Sequence, residues 1–139
     1  MSLLIGVNDV WHRLDHGEPI DAAKFEETYV RLLEEIKASL PQTKLMLLEP
    51  FALHGPATDD RPDQPDRFFA FSSHVAKLAD CVKKLAQQFD LTFVPLQSVL
   101  DEAAKNACPN YYLADGVHPT PKGHELIKRE WLKAFQNLA

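Results

Sequence analysis

Short apolar runs alternate along the chain with longer one-sided stretches. Leu3 to Ile5 opens the pattern, and residues 2–6 read as a short buried strand ending at Gly6. The tetrad Gly6-Val7-Asn8-Asp9 follows and reads as a loop. Asp21 offers an N-cap, after which Ala22, Phe25, Tyr29, Leu32, Leu33, Ile36 and Leu40 recur at steps of three and four. That spacing predicts a helix with one apolar stripe, stopped by Pro41. Residues 44–49 form a second apolar run closed by Pro50. Phe71, Val75, Leu78, Val82, Leu85 and Phe89 mark a second long helix, and Leu91 to Val94 a third strand before Pro95. Val99, Leu100, Ala103 and Ala104 predict a shorter helix. Thr120-Pro121 is an N-cap with proline at the first helical position, and Ile127, Trp131 and Phe135 carry that helix towards the C-terminus.

The order strand, helix, strand, helix, strand, helix, helix predicts a parallel sheet covered on both faces, in one domain over residues 1–139. The stretch from Phe51 to Asp66 breaks the periodicity with Pro56, Pro62, Pro65 and Gly55. It is long for a loop, which leaves a lid or binding loop on one reading and a surface excursion on the other.

Composition narrows the classes. The 45 % apolar share is ordinary for a globular chain. No run is long and apolar enough to span a membrane, and no basic segment leads into a long apolar one at the N-terminus. A net charge of −5 with mixed signs argues against a nucleic-acid partner. Cys81 and Cys108 form no C-x-x-C pair and read as reduced thiols in a cytoplasmic protein. His12, His16, His54 and His74 read as exposed and unligated, since zinc needs three or four converging ligands, and no metal is expected. His124 reads as a first-turn polar residue and Trp131 as core.

Ligands of an open α/β sheet bind beyond the carboxyl ends of its strands. The tetrad at Gly6, the loop after Glu49 and the segment from Tyr111 to Pro119 all arrive there. In the last, Asp115 and His118 form a D-x-x-H pair. A carboxylate beside an imidazole accepts its Nδ1–H, fixes the tautomer and stabilises the imidazolium. The alternative is a turn aspartate next to a surface histidine. Gly116 permits the tight turn between them. Asn8 offers amide donors to an oxyanion, worth about 3 kcal/mol in acyl transfer; the alternative is a loop cap. Gly6, Asp9 and Trp11 are candidate cleft lining, with Asp9 also a support for the turn and Trp11 also a packed ring at the loop base.

Together, Gly6-Val7-Asn8-Asp9 and Asp115-Gly116-Val117-His118-Pro119 resemble the G-x-N-D and D-x-x-H-P blocks of the SGNH, or GDSL-type, serine esterases and acylhydrolases. The resemblance implies a three-layer α/β/α, flavodoxin-like fold with strand order 2-1-3-4-5. It implies a small or carbohydrate-linked ester as substrate and no metal or organic cofactor. It assigns His118 as general base, Asp115 as its orienting acid and Asn8 as oxyanion donor.

The resemblance covers this whole chain but only the later part of the family's domain. The G-D-S block that carries the nucleophile and the glycine block after it are not found, nor is a G-x-S-x-G elbow. The expectation is a fold truncated to about three strands, whose first strand resembles the family's third, in a chain inactive alone. Either an internal codon read as a start or added residues at Met1-Ser2-Leu3 would give this beginning. Ser2, Ser39, Ser72, Ser73 and Ser98 are poor replacements; Ser98 comes nearest by position but lacks a strained turn beside a glycine. Residues 2–6 would form a bare edge, and a homodimer pairing two such edges is expected. Two readings compete with the esterase: a non-catalytic binding module or inactive fragment, and a metal-dependent hydrolase using Asp9, Asp115 and His118.

Overall fold

A computed structural model describes residues 1–138. Its sheet has three short parallel strands, β1 (Ser2–Leu4), β2 (Met46–Leu48) and β3 (Thr92–Val94), in the spatial order β1-β2-β3. Leu3 stands opposite Leu47, and Leu47 opposite Phe93. Parallel neighbours cannot be joined by a hairpin, so each strand is reached through helix. Helices α1 (Val7–His16) and α2 (Ala22–Ser39) lie between β1 and β2, and α3 (Arg67–Gln88) lies between β2 and β3. After β3 come α4 (Gln97–Ala104), a 3₁₀ turn at Pro109–Tyr111 and α5 (Pro121–Gln136).

The central strand shows why three layers form. All of β2 is buried, and successive side chains of a strand leave opposite faces. Leu47 joins Val10, Phe25, Leu33, Phe71 and Leu78 in one core, under α1, α2 and α3. Met46 and Leu48 join Val94, Leu100 and Leu113 in the other, where Ile127 and Trp131 of α5 pack against them. The caps fall where the residues place them. Asp21 Oδ1 accepts the Lys24 N–H at 2.9 Å, and Thr120 Oγ1 accepts the N–H groups of Lys122 and Gly123, both at 3.2 Å.

Helix α1 is a correction. The tetrad after β1 is not a loop: the chain turns at Gly6, buried against Pro50 and Phe25, and is helical from Val7. Val7, Val10, Trp11 and Leu14 stand at i, i+3, i+4 and i+7 and pack into the first core, with Val10 fully buried. Asn8 and Asp9 are weak helix formers and mask that stripe, but its burial outweighs their propensity.

The stretch from Phe51 to Asp66 is irregular but is no surface excursion. Phe51, Ala52, Leu53, Ala57 and Thr58 are all buried. Its exit is pinned by Arg67, the first residue of α3, whose side chain has no exposed surface. Arg67 Nε donates to Ala57 O at 2.9 Å, and Nη1 donates to Gln64 Oε1. Nη2 lies 2.7 Å from Asp15 Oδ1 of α1. That contact is an ion pair rather than an aligned hydrogen bond, because the geometry leaves Nη2 without an acceptor in line. At the other side of the molecule β1 pairs only with β2 among the described residues, and Leu4 is 45 % exposed.

Candidate active site

Residues 113–119 fold back on themselves, with Leu113 bridged to Pro119 and the Ala114 N–H donating to His118 O at 2.8 Å. Inside this turn Asp115 organises everything that follows it. Its Oδ1 accepts the N–H groups of Val117 at 3.0 Å and His118 at 2.9 Å. Its Oδ2 lies 2.7 Å from His118 Nδ1. A carboxylate only accepts, so Nδ1 donates to it, and in the neutral ring that tautomer leaves the lone pair on Nε2. The imidazole is exposed, and among the described residues Nε2 has no hydrogen-bond partner. Partial burial pushes the Asp115 carboxyl up, but the hydrogen bonds from His118 and Val117 and the nearby imidazole outweigh it. The net effect holds this carboxyl below its ordinary value.

The turn is held from below by the segment after β2. The Leu53 N–H donates to Gly116 O, and the Ala57 N–H to Asp115 O, both at 2.9 Å. Gly116 has φ +102°, and a Cβ there would lie 2.4 Å from Thr58 Oγ1. Gly55 approaches from the other side, so closely that a Cβ would lie 2.4 Å from Asp115 C and from Gly116 N. Thr58, with no exposed surface, donates its hydroxyl to Leu53 O at 2.6 Å and closes the segment on itself.

His118 and Asn8 line one cavity of about 220 Å³, with Leu4, Ile5, Val7, Pro50 and Phe51 among its other walls. Asn8 lies in the first turn of α1, a helix without a side-chain cap, so unpaired backbone N–H groups add positive potential at this end. Trp11 is packed within α1 and still reaches the site, its ring 5.7 Å from that of His118 and 6.4 Å from that of Phe71. Gly6 and Asp9 are placed elsewhere. Gly6 is buried against Pro50 and Phe25, and Asp9 lines two other hollows beside Arg13. No described residue lining the His118 cavity is a serine. Ser72 and Ser73 line a different hollow, and Ser98 lines a third. Among the described residues no three His, Cys, Asp or Glu side chains converge as metal ligands, and no helix is long and apolar enough to cross a membrane. A larger hollow exists between α3 and α4, but the imidazole–carboxylate pair and the amide donor meet only in the smaller one.

Known proteins share this arrangement of elements. An acetylxylan esterase from Geobacillus stearothermophilus is 28 % identical over 138 residues, which are 96 % of this chain and 57 % of that protein. Its crystal structure superposes with a TM-score of 0.73. A structure from Parabacteroides merdae assigned as a GDSL-like lipase is 36 % identical, with a TM-score of 0.84 over 99 % of this chain and 60 % of its own. The chain therefore spans less than two thirds of the length of these relatives. Variants of the Geobacillus esterase altered at a serine, an aspartate and a histidine are designated catalytic mutants. There the aspartate stands three positions before the histidine, and the serine lies further ahead of it than the whole stretch preceding Asp115 here. Residues 1–126, most of this sequence, match the family model of the GDSL-like lipases and acylhydrolases, and the chain belongs to that family.

Proposed function

We propose that this chain carries the base, the orienting acid and one oxyanion donor of a serine ester hydrolase acting on small or carbohydrate-linked esters. The observation that carries the reading is the 2.7 Å contact between His118 and Asp115, with the ring opening into the cavity that Asn8 also lines. In the reaction, His118 Nε2 takes the proton of a serine hydroxyl as its Oγ attacks the ester carbonyl. The Asn8 amide donates to the oxyanion that forms. The imidazolium, stabilised by Asp115, returns the proton to the leaving alcohol. Water then repeats the cycle on the acyl-serine. Because no described serine lines the cavity, the chain is inactive by itself. His118 acting on water alone supplies little of the rate.

Hydrolysis of p-nitrophenyl acetate tests this. The purified chain and its His118→Ala variant are both expected to match buffer. A fusion that places the part of the Geobacillus esterase carrying its catalytic serine ahead of Met1 is expected to hydrolyse the ester. His118→Ala should cut that activity by about 10²- to 10⁴-fold. Activity in the unfused chain that His118→Ala abolishes would overturn the inactivity and put the nucleophile among the serines of this sequence. A cavity lined by no described serine also favours a second reading, a non-catalytic binding module using the same cavity, under which the fusion stays silent.

The open edge of β1 supports a homodimer in which two such edges pair antiparallel. Light scattering at micromolar concentration is expected to give twice the mass of the chain, and a monomer would sink the idea.

A further inference from the structure

The large hollow between α3 and α4 has a volume of about 730 Å³, within the range of small-molecule sites. Pro50, itself buried, is a wall of both this hollow and the His118 cavity. The mouth of the hollow holds aromatic rings that the fold does not bury. Phe69 is 73 % exposed, and His54 stacks on Phe68 with ring centroids 3.4 Å apart at 20°.

This stack is built rather than incidental. Asp59 Oδ1 lies 2.7 Å from His54 Nδ1 and accepts the Gly55 N–H at 3.1 Å, which orients the imidazole. Asp60 Oδ1 accepts the Phe68 N–H at 2.9 Å and fixes the start of α3 beneath it. The outer surface of the His54 ring stays open, the side chain being 61 % exposed.

The remaining lining sets the ligand's chemistry. Glu49, Asp80 and Asp101 face one lysine, Lys105, which is already paired with Glu102. Anions such as phosphates and free fatty acids are repelled by that balance. A purely apolar ligand would strip water from Asp80, Asp101, Ser72 and Ser73 without replacing its hydrogen bonds. Aromatic faces beside hydroxyls and carboxylates fit a neutral polyhydroxylated ring. Its C–H face lies on the negative face of an aromatic side chain, and its hydroxyls donate to the carboxylates.

We propose that this hollow is an oligosaccharide subsite, holding the glycosyl part of an ester whose acyl end lies at His118. The proposal rests on the ester-hydrolase reading, but its test involves no hydrolysis. Unesterified xylotriose and cellotriose, titrated by calorimetry and saturation-transfer NMR, are expected to bind saturably in the millimolar range or tighter. Phe69→Ala, an exposed change whose folding is checked by circular dichroism, should weaken that binding by about tenfold, a loss on the scale of one aromatic contact. Asn8→Ala should leave it unchanged. The proposal is overturned if neither sugar saturates, if binding follows Asn8 instead of Phe69, or if hexanoate takes the Phe69-dependent site in preference to the sugars. A fusion that stays silent towards the ester while sugar binding is intact would reject the catalytic reading and leave the subsite standing.

Discussion

Gly55→Ala is expected to destabilise the chain by about 3 kcal/mol, the upper end of the cost of overpacking, and to lower Tm by about 10 °C for a domain of this size. The added methyl would lie 2.4 Å from backbone atoms of Asp115 and Gly116, neither of which has a rotamer with which to yield. Relief requires the two segments to part. Parting strains the Leu53–Gly116 and Ala57–Asp115 hydrogen bonds that hold the D-x-x-H turn. The loss should therefore appear locally as well, as a changed ¹⁵N signature of the His118 ring. Gly17→Ala is the comparison. It has nothing within 4 Å, so it pays only for φ +65°, about 1 kcal/mol. Equal melting temperatures for the two variants would refute the account of Gly55.

The second large effect is expected at Asp15. Asp15→Ala removes the carboxylate beside a guanidinium that has no exposed surface. An uncompensated buried charge costs about 3 kcal/mol. The asymmetry is the sharper test. Adding Arg67→Met to Asp15→Ala removes the stranded charge and keeps most of the volume, so denaturant unfolding should show more than half of the loss recovered. The recovery stays incomplete because Ala57 O and Gln64 lose a donor. A double variant no more stable than Asp15→Ala would show that the ion pair contributes nothing beyond packing.

Those two sites also mark how far the sequence could be read. The stripe from Ala22 to Leu40 and the Asp21 and Thr120 caps are local signals, and each appears in the structure where its residues stand. The three parallel strands follow from apolar runs set between helices. Helix α1 was legible too, in the spacing of Val7, Val10, Trp11 and Leu14, but Asn8 and Asp9, both weak helix formers, interrupt that stripe in its first turn. What the sequence did not carry is the support of the turn. Gly55 beside Asp115, Thr58 beneath Gly116 and Arg67 against Asp15 are contacts across long separations, many of them between backbone atoms that have no residue-specific signature. The prolines between Phe51 and Asp66 announced irregular backbone without announcing that Phe51, Leu53 and Thr58 are buried. His54 and Asp59 went unpaired in the sequence for the same reason, since a five-residue spacing implies contact only once the chain's path is known.

The all-parallel sheet has a consequence for how the chain reaches this state. β1 cannot pair until α1 and α2 have been made, and β3 cannot pair until α3 has. Every strand contact is therefore bought with a large loop closure, whose entropy is lost before any ladder hydrogen bond is gained. The helices are local and quick; the sheet is non-local and slow. Of the three strands β1 is made first and waits longest, with its backbone unpaired on both sides until Leu47 and Leu48 have left the ribosome and docked beside Leu3 and Leu4. Refolding yield should accordingly depend on concentration through collisions between unpaired strands rather than through any weakness of the finished core.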